Sequence, residues 1–343
     1  MQDIAIILPA YNEEKTVGPT IEDFYRVMPN AAIWVINNHS SDATEDTARA
    51  VLARLGCRGG VMNELRPGKG NAVRRGFTSV DADIYVLADA DSTYPADDLP
   101  KLIGPVLAGE ADMVVGDRHV GGQYATENKR ALHGFGNRLV RDLVNRLFHA
   151  RLSDILSGYR VFSRRFVKTY PVLVEGFEIE TDVTLHALDK RLPIVELPVE
   201  YRDRPEGSAS KLNTFRDGIK VLRTLANILR HYRPLTFFGG LAIVFLLLSL
   251  LLGAPVLVEF VLTGYITHVP LAILSTGIEV IAVLMIAIGL ILDSIVHLDK
   301  RVFERELLRV SSEVQARVRG QLPRTDSGDQ VDTEAGALHA GQQ

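Results

Sequence analysis

Apolar and polar positions change rhythm along the chain. Over the first 116 residues, compact apolar runs alternate with longer segments of helical spacing. The runs are Ile4–Leu8, Ala32–Ile36, Ile84–Ala88 and Met113–Val115, and the helical segments are Glu13–Val27, Thr44–Leu55, Asn71–Ser79 and Asp97–Leu107. Short continuous apolar runs read as strands buried on both faces, and their alternation with helices predicts a parallel sheet covered by crossovers. Residues 131–148 predict another helix, and Tyr159–Phe162 and Ile194–Tyr201 later strands. From Leu212 to Tyr232, apolar residues (Leu212, Phe215, Ile219, Leu222, Ala226, Leu229) recur at steps of three and four, with Arg216, Lys220, Arg223 and Arg230 off that stripe. A helix of that kind suits a membrane interface, apolar side among acyl chains and cations toward headgroups.

Beyond it the charges stop. None lies between Arg233 and Glu259, and a second apolar stretch, Pro270–Leu292, is broken only by Glu279. Each is long enough to cross a hydrocarbon core of about 30 Å, which takes roughly 20 helical residues. Residues 311–343 turn polar and read as a disordered tail. The 343 residues thus divide into a globular domain (1–210), a juxtamembrane amphipathic helix (211–233), a two-helix transmembrane hairpin (234–299), and a basic segment with its tail (300–343).

Composition and charge sharpen this picture. A net charge of −4 gives no ground for nucleic acid as a partner. Lys and Arg flank the two spans and are absent between them, so the positive-inside tendency puts the globular domain and both termini in the cytoplasm of an integral cell-membrane protein. The chain enters a strand directly after Met-Gln-Asp, so no signal peptide is expected. The lone Cys57 has no internal disulfide partner, in keeping with a reducing compartment. Glu279, an acid inside a span, reads as an inter-helix or inter-subunit hydrogen-bonding group, which leaves a homo-oligomer open.

Candidate chemistry falls where a parallel sheet binds ligands, beyond the carboxyl ends of its strands. Pro9–Glu14 follows the first run, Asn37–Asp42 the second, and Asp89–Ser92 the run at 84–88. Two carboxylates one residue apart, as in Asp89-Ala90-Asp91, can share one hard divalent cation, although solvent-facing acids before a helix give the same pattern. Arg66-Pro-Gly-Lys-Gly-Asn71 offers backbone free to approach a phosphate and a lysine charge, or an ordinary turn. Arg204-Pro-Glu-Gly-Ser-Ala-Ser-Lys211 is a cationic loop ahead of the interfacial helix, fit for a lipid phosphate or for anionic headgroups in general.

Together with Gly116-Asp-Arg118 and Ser157-Gly-Tyr-Arg160, and in this order, these segments resemble the family 2 glycosyltransferases of GT-A fold. The paired C-terminal spans narrow the resemblance, over about residues 3–300, to the polyprenyl- and dolichyl-phosphate hexosyltransferases. It implies a Rossmann-like α/β fold, a mixed, mostly parallel sheet with helices on both faces. It implies inverting transfer of a hexose from a nucleotide sugar, UDP-glucose or GDP-mannose, to undecaprenyl or dolichyl phosphate, with Mg²⁺ or Mn²⁺. Carried over by position, Pro9, Tyr11 and Glu13 would line the nucleotide site, Asn38 would face the base and Lys69 would support the donor end. Asp89 and Asp91 would hold the metal, Arg118 and Arg130 would clamp the acceptor phosphate, and Arg204, Ser210 and Lys211 would close over the diphosphate. Two positions depart from the pattern: Asn37-Asn38 where acids are common, and Asp117 beside Arg118, where a carboxylate would partly neutralise the clamp.

An acceptor phosphate monoester, with a second pKa near 6, is largely a dianion at neutral pH and needs no general base. The barrier is its approach to an anionic diphosphate, about 4 kcal/mol per pair of unit charges at 4 Å and an effective dielectric of 20. No covalent nucleophile is assigned, and Glu178, Glu180 and Asp182 read as structural or metal-adjacent. Two other classes compete. A polysaccharide synthase of the same fold resembles others in a Gln-x-x-Arg-Trp segment, whereas the only tryptophan here is Trp34. A catalytically decayed, membrane-anchored partner that binds nucleotide sugar would explain Asn37-Asn38, but not the retention of Asp89, Asp91, Lys69, Arg160 and Lys211.

Overall fold

The computed structural model of the chain describes residues 2–119, 131–176, 178–202 and 214–319. It forms two compact units, Met1–Lys211 with Arg305–Gln343, and Leu212–Glu304.

The first unit is built on seven strands: β1 (Ile4–Ala10), β2 (Ala32–Asn37), β3 (Gly59–Asn63), β4 (Ile84–Leu87), β5 (Met113–Asp117), β6 (Arg160–Ser163) and β7 (Ile194–Pro198). Their order is β3-β2-β1-β4-β6-β5-β7. All neighbours pair parallel except β6, which runs antiparallel to both β4 and β5. The sheet is therefore mixed and mostly parallel, as the resemblance implies.

Alternation along β1 explains why helices cover both faces. Ile6 and Leu8 join one core cluster with α1 (Val17–Val27), α2 (Thr44–Leu55) and α4 (Leu99–Leu107), through residues such as Ile21, Phe24, Leu52 and Leu102. Ile7 points the other way, against Gly76 of α3 (Lys69–Ser79). On that same face Phe77 packs edge-on against Tyr85 and Phe162, and Phe162 lies tilted against Phe166 of α6 (Arg164–Thr169). Complete burial of each such Ile, Leu or Phe contributes about 1.5–3 kcal/mol, so strands apolar on both sides stay in the middle of the sheet. The remaining described helices of this unit are α5 (Ala131–Phe148) and α7 (Ile179–Asp189).

One strand is not predicted, and two local expectations are corrected. The edge strand β3 carries two glycines and buries only Val61 and Met62, too weak an apolar run to read as a strand. The first helix begins at Val17, because a turn closed by Thr16 N–H on the Glu13 carbonyl (3.0 Å) precedes it. Residues 311–318, expected to be disordered, continue a long helix, α10 (Val269–Val318). Arg309 pairs with Glu306 and Glu313 at helical spacing, and Arg317 reaches Asp81 at 2.9 Å. Residues 320–343 lie outside the described residues.

The second unit contains α8 (Thr214–Tyr232), α9 (Pro234–Thr263) and most of α10. Within α8, Ile228 is buried while Arg223 and Arg230 are exposed. The 30 residues of α9 make a helix about 45 Å long. It meets α10 through small side chains: Ala242, Ser249, Ser275 and Ala282 are buried, and the Ser249 hydroxyl donates to the Ser275 carbonyl at 2.9 Å. Leucines such as Leu247, Leu251 and Leu290 face outward. Both helices are long and apolar enough to cross a membrane, and small residues inside with leucines outside is how helices pack in lipid.

Candidate active site

The parallel strands β1, β2 and β4 end side by side, and the chain leaves each through a left-handed residue: Asn12 (φ 55°), His39 (φ 60°) and Ser92 (φ 59°). Non-glycine residues there carry strain that the surrounding contacts must hold. They do so by cross-linking the loops. Asn12 Oδ1 accepts from the Ser41 N–H at 2.8 Å, and the Asn12 N–H donates to Ser40 Oγ at 3.0 Å. The Ser92 and Thr20 hydroxyls lie 2.8 Å apart, tying the loop after β4 to α1.

Lys69 lies at the centre of the charged groups. It opens α3, and its ammonium contacts both Asp89 and Glu180, the latter at 2.6 Å. Lys69 and Glu180 are buried, whereas Asp89 keeps a quarter of its side chain in solvent. Burial alone would lower the lysine pKa, but the two carboxylates outweigh it and hold the ammonium protonated well above its ordinary range. One cation between two anions leaves the group one charge negative.

Backbone contacts distant in sequence fix this lysine. Gly68 has φ 119°, and the Gly70 N–H donates to the Glu175 carbonyl at 2.9 Å. A Cβ on Gly68 would lie 2.1 Å from the Glu175 carbonyl oxygen, and one on Gly70 2.1 Å from that of Val174. The turn thus lies flush against the segment that leads toward α7 and Glu180. Asn38 braces it from the other side: its Oδ1 accepts from the Gly68 N–H and its Nδ2 donates to the Arg66 carbonyl, both at 2.7 Å. Asn38, expected to face the base, is buried and braces this loop through the two bonds.

Asp91 is buried, and its Oδ1 accepts from the Thr93 N–H (3.2 Å) and hydroxyl (2.6 Å). Gly158 closes the same end of β4, where a Cβ would lie 2.6 Å from Asp89 Oδ2. The loop bearing Gly158 is held by the fully buried Arg160, which donates to the carbonyls of Ser157 (2.8 Å) and Ile155 (2.9 Å) and to Thr184 Oγ1 (2.8 Å). Arg160 is therefore an internal scaffold for the site.

Arg118 ends β5's turn in a bidentate pair with Asp154, Nε to Oδ2 at 2.7 Å and an NH2 to Oδ1 at 2.9 Å. Burial would raise the Asp154 pKa, but Arg118 outweighs it and holds the carboxyl below its usual range. The neutralising acid is thus Asp154 and not the adjacent Asp117, whose Oδ1 accepts from the His119 N–H at 2.8 Å. Among the described residues, Asp117, His119 and Asp154 also bring ligand atoms within 4.8 Å of one another, a spacing open to a metal. Both Asp154 oxygens already face the Arg118 guanidinium, so an ion there would have to displace a buried pair. The Asp89 carboxylate is likewise paired, with the Lys69 ammonium, but it keeps a quarter of its side chain in solvent.

Of the other expected residues, Pro9 lies in β1 opposite Ile36, Tyr11 is exposed just beyond the strand, and Glu13 accepts from the Thr16 hydroxyl at 2.7 Å. Arg130, Arg204, Ser210 and Lys211 lie outside the described residues. Sequence reasoning missed Asp154, which lacks a motif, and took Glu180 as structural or metal-adjacent without its lysine partner.

Residues 5–170 match the family described as Glycosyl transferase family 2. Glycosyltransferase AglJ of Haloferax volcanii is 29% identical over 303 residues, 88% of this chain and 96% of its own. The dolichyl-phosphate hexose transferase of the same organism is 27% identical over 226 residues, 66% of this chain and 93% of its own. Among solved structures, glucosyl-3-phosphoglycerate synthase from Mycobacterium tuberculosis, in complex with Mn²⁺, UDP-glucose and phosphoglyceric acid, superposes with a TM-score of 0.51 at 23% identity, covering 66% of this chain and 79% of that one. At that identity the likeness is one of fold.

Proposed function

The chain belongs to glycosyl transferase family 2, and on that premise we propose that it transfers a hexose from a nucleotide-diphosphate sugar to a polyprenyl phosphate, with inversion. The leading donors are UDP-glucose and GDP-mannose, and the acceptors undecaprenyl or dolichyl phosphate. The relatives' names support the class of acceptor, since one is a dolichyl-phosphate hexose transferase. Two helices long and apolar enough to cross a membrane suit an enzyme whose acceptor is a lipid. In this reading they anchor it with the catalytic domain and both termini in the cytoplasm.

The observation that carries the reading is the charge pattern at the end of β4. Asp89, one residue from Asp91, already seats a cation, the Lys69 ammonium. Two carboxylates of this kind fit Mg²⁺ or Mn²⁺. When bound, the ion would neutralise charge on the diphosphate leaving group. Asp91, fixed by Thr93, keeps its place while Asp89 turns between partners. Pro9, Tyr11 and Glu13 line the nucleotide, and Asn38, which braces the loop at 66–68, faces the base. Arg118 and Arg130 receive the acceptor phosphate, and Arg204, Ser210 and Lys211 close over the diphosphate. No general base is needed, because the acceptor is already a dianion at neutral pH. Glu180, held by Lys69, is accordingly free to act as structure.

The test is a panel. Purified full-length protein is given undecaprenyl or dolichyl phosphate with radiolabelled UDP-glucose, GDP-mannose and N-acetylated sugar nucleotides. One labelled donor should yield an organic-soluble, acid-labile lipid phosphate sugar. Binding of nucleotide sugar with no transfer to either lipid would overturn the reading.

A further inference from the structure

Glu180 stands outside the strand-end loops that would hold a donor, yet its carboxylate lies 2.6 Å from the Lys69 ammonium. It enters from α7, on a chain segment more than 100 residues further on, and is as buried as the lysine it holds. We propose that Glu180 is a positioning residue that keeps Lys69 when a divalent ion takes Asp89. The proposal rests on the reading of Asp89 and Asp91 as metal ligands.

Geometry and charge carry it. Lys69 bridges the two acids, but they are unequal partners: Asp89 is the solvent-facing one and Glu180 the enclosed one. An arriving dication competes with the ammonium for Asp89 and repels it. With Glu180 in place, the lysine gives up one ion pair, keeps the other, and stays off the metal. The carboxylate lies in the first turn of α7, where the helix N-terminus favours an anion. Its post is stiff, since the Thr184 hydroxyl donates to the Glu180 carbonyl at 2.8 Å and Thr184 also accepts from buried Arg160 at 2.8 Å. Gly68 and Gly70, packed on the carbonyls of Glu175 and Val174, keep Lys69 in register with that post. Without Glu180, Asp89 is the sole acid that the lysine contacts in this group, and metal and lysine contest one carboxylate.

The experiment measures Mn²⁺ binding to the full-length protein by electron paramagnetic resonance of the free ion, in the absence of sugar nucleotide. Wild type, Glu180→Gln, Glu180→Asp, Asp89→Asn, Lys69→Met and the double variant Lys69→Met/Glu180→Gln are compared, each first checked for an intact thermal transition. Glu180→Gln should weaken Mn²⁺ binding at least tenfold, Glu180→Asp should restore part of it, and Glu180→Gln should change little once Lys69 is methionine. An equal loss from Glu180→Gln in both backgrounds would make Glu180 a distant charge and overturn the proposal. If Lys69→Met fails to fold, the Gln and Asp variants decide: binding at the wild-type level in both overturns it. Unchanged binding in Asp89→Asn would instead remove the metal reading itself, which separates the two failures.

Discussion

Gly158 faces the Asp89 carboxylate so closely that a Cβ there would lie 2.6 Å from Oδ2 and 3.2 Å from the Lys69 ammonium. The room that the Asp89 carboxylate and the Lys69 ammonium occupy is thus made by the absence of a side chain at Gly158. Gly158→Ala should push Asp89 aside at little cost in stability, because the colliding atom is the end of a partly exposed side chain. The expected result is a loss of turnover of about tenfold or more, with a thermal transition within a few degrees of wild type. A variant with full activity would show that Asp89 needs no such room.

Gly68 makes a harsher case. With φ 119° and a Cβ that would meet the Glu175 carbonyl oxygen at 2.1 Å, the position admits only glycine. Gly68→Ala should cost about 2 kcal/mol or more, from backbone strain and a collision with main chain that cannot swing away. Denaturant unfolding of the full-length protein in detergent checks it.

The Arg118–Asp154 pair has a pH signature. The folded carboxyl of Asp154 titrates below its ordinary value. A depressed acid contributes stability that is complete above the unfolded pKa, near 3.9, and is lost as pH falls through the folded pKa. Wild type should therefore lead Asp154→Asn in thermal stability at neutral pH, and the gap should close below about pH 4. Arg118→Met, which strands the buried carboxylate, should cost about 3–5 kcal/mol at pH 7. A gap independent of pH would contradict the ion pair.

Much of the frame is legible in the chain because β1, β2, β4 and β5 are apolar on both sides, and only a doubly covered sheet needs that. The same logic hides β3, an edge strand with two glycines. It also hides the antiparallel entry of β6, whose four residues carry no direction in their pattern. In the site, strand-end position exposes Asp89 and Asp91 to reasoning, and the flanking glycines before a helix expose Lys69. What they touch is another matter. Glu180 meets Lys69 across 111 residues and Asp154 meets Arg118 across 36, and no local periodicity encodes such pairs. Asn38 shows the converse: its place was readable, but its two bonds to the loop at 66–68 were not.

Asp91 carries a prediction that separates chemistry from folding. Its Oδ1 accepts from Thr93, and an asparagine oxygen can do the same. Asp91→Asn should keep the thermal transition within a few degrees and lower transfer by about 10²–10³-fold. Loss of folding along with activity would mean that the carboxylate is structural.

The central claim is that a divalent ion on Asp89 and Asp91 lets two anions meet. Its most direct test is the initial rate of sugar transfer to undecaprenyl phosphate, in one preparation treated with chelator and then reloaded with Mn²⁺ or Mg²⁺. Product formation should fall to background in chelator and return on reloading in wild type but not in Asp89→Asn. Undiminished transfer in chelator, or full recovery in that variant, would contradict it.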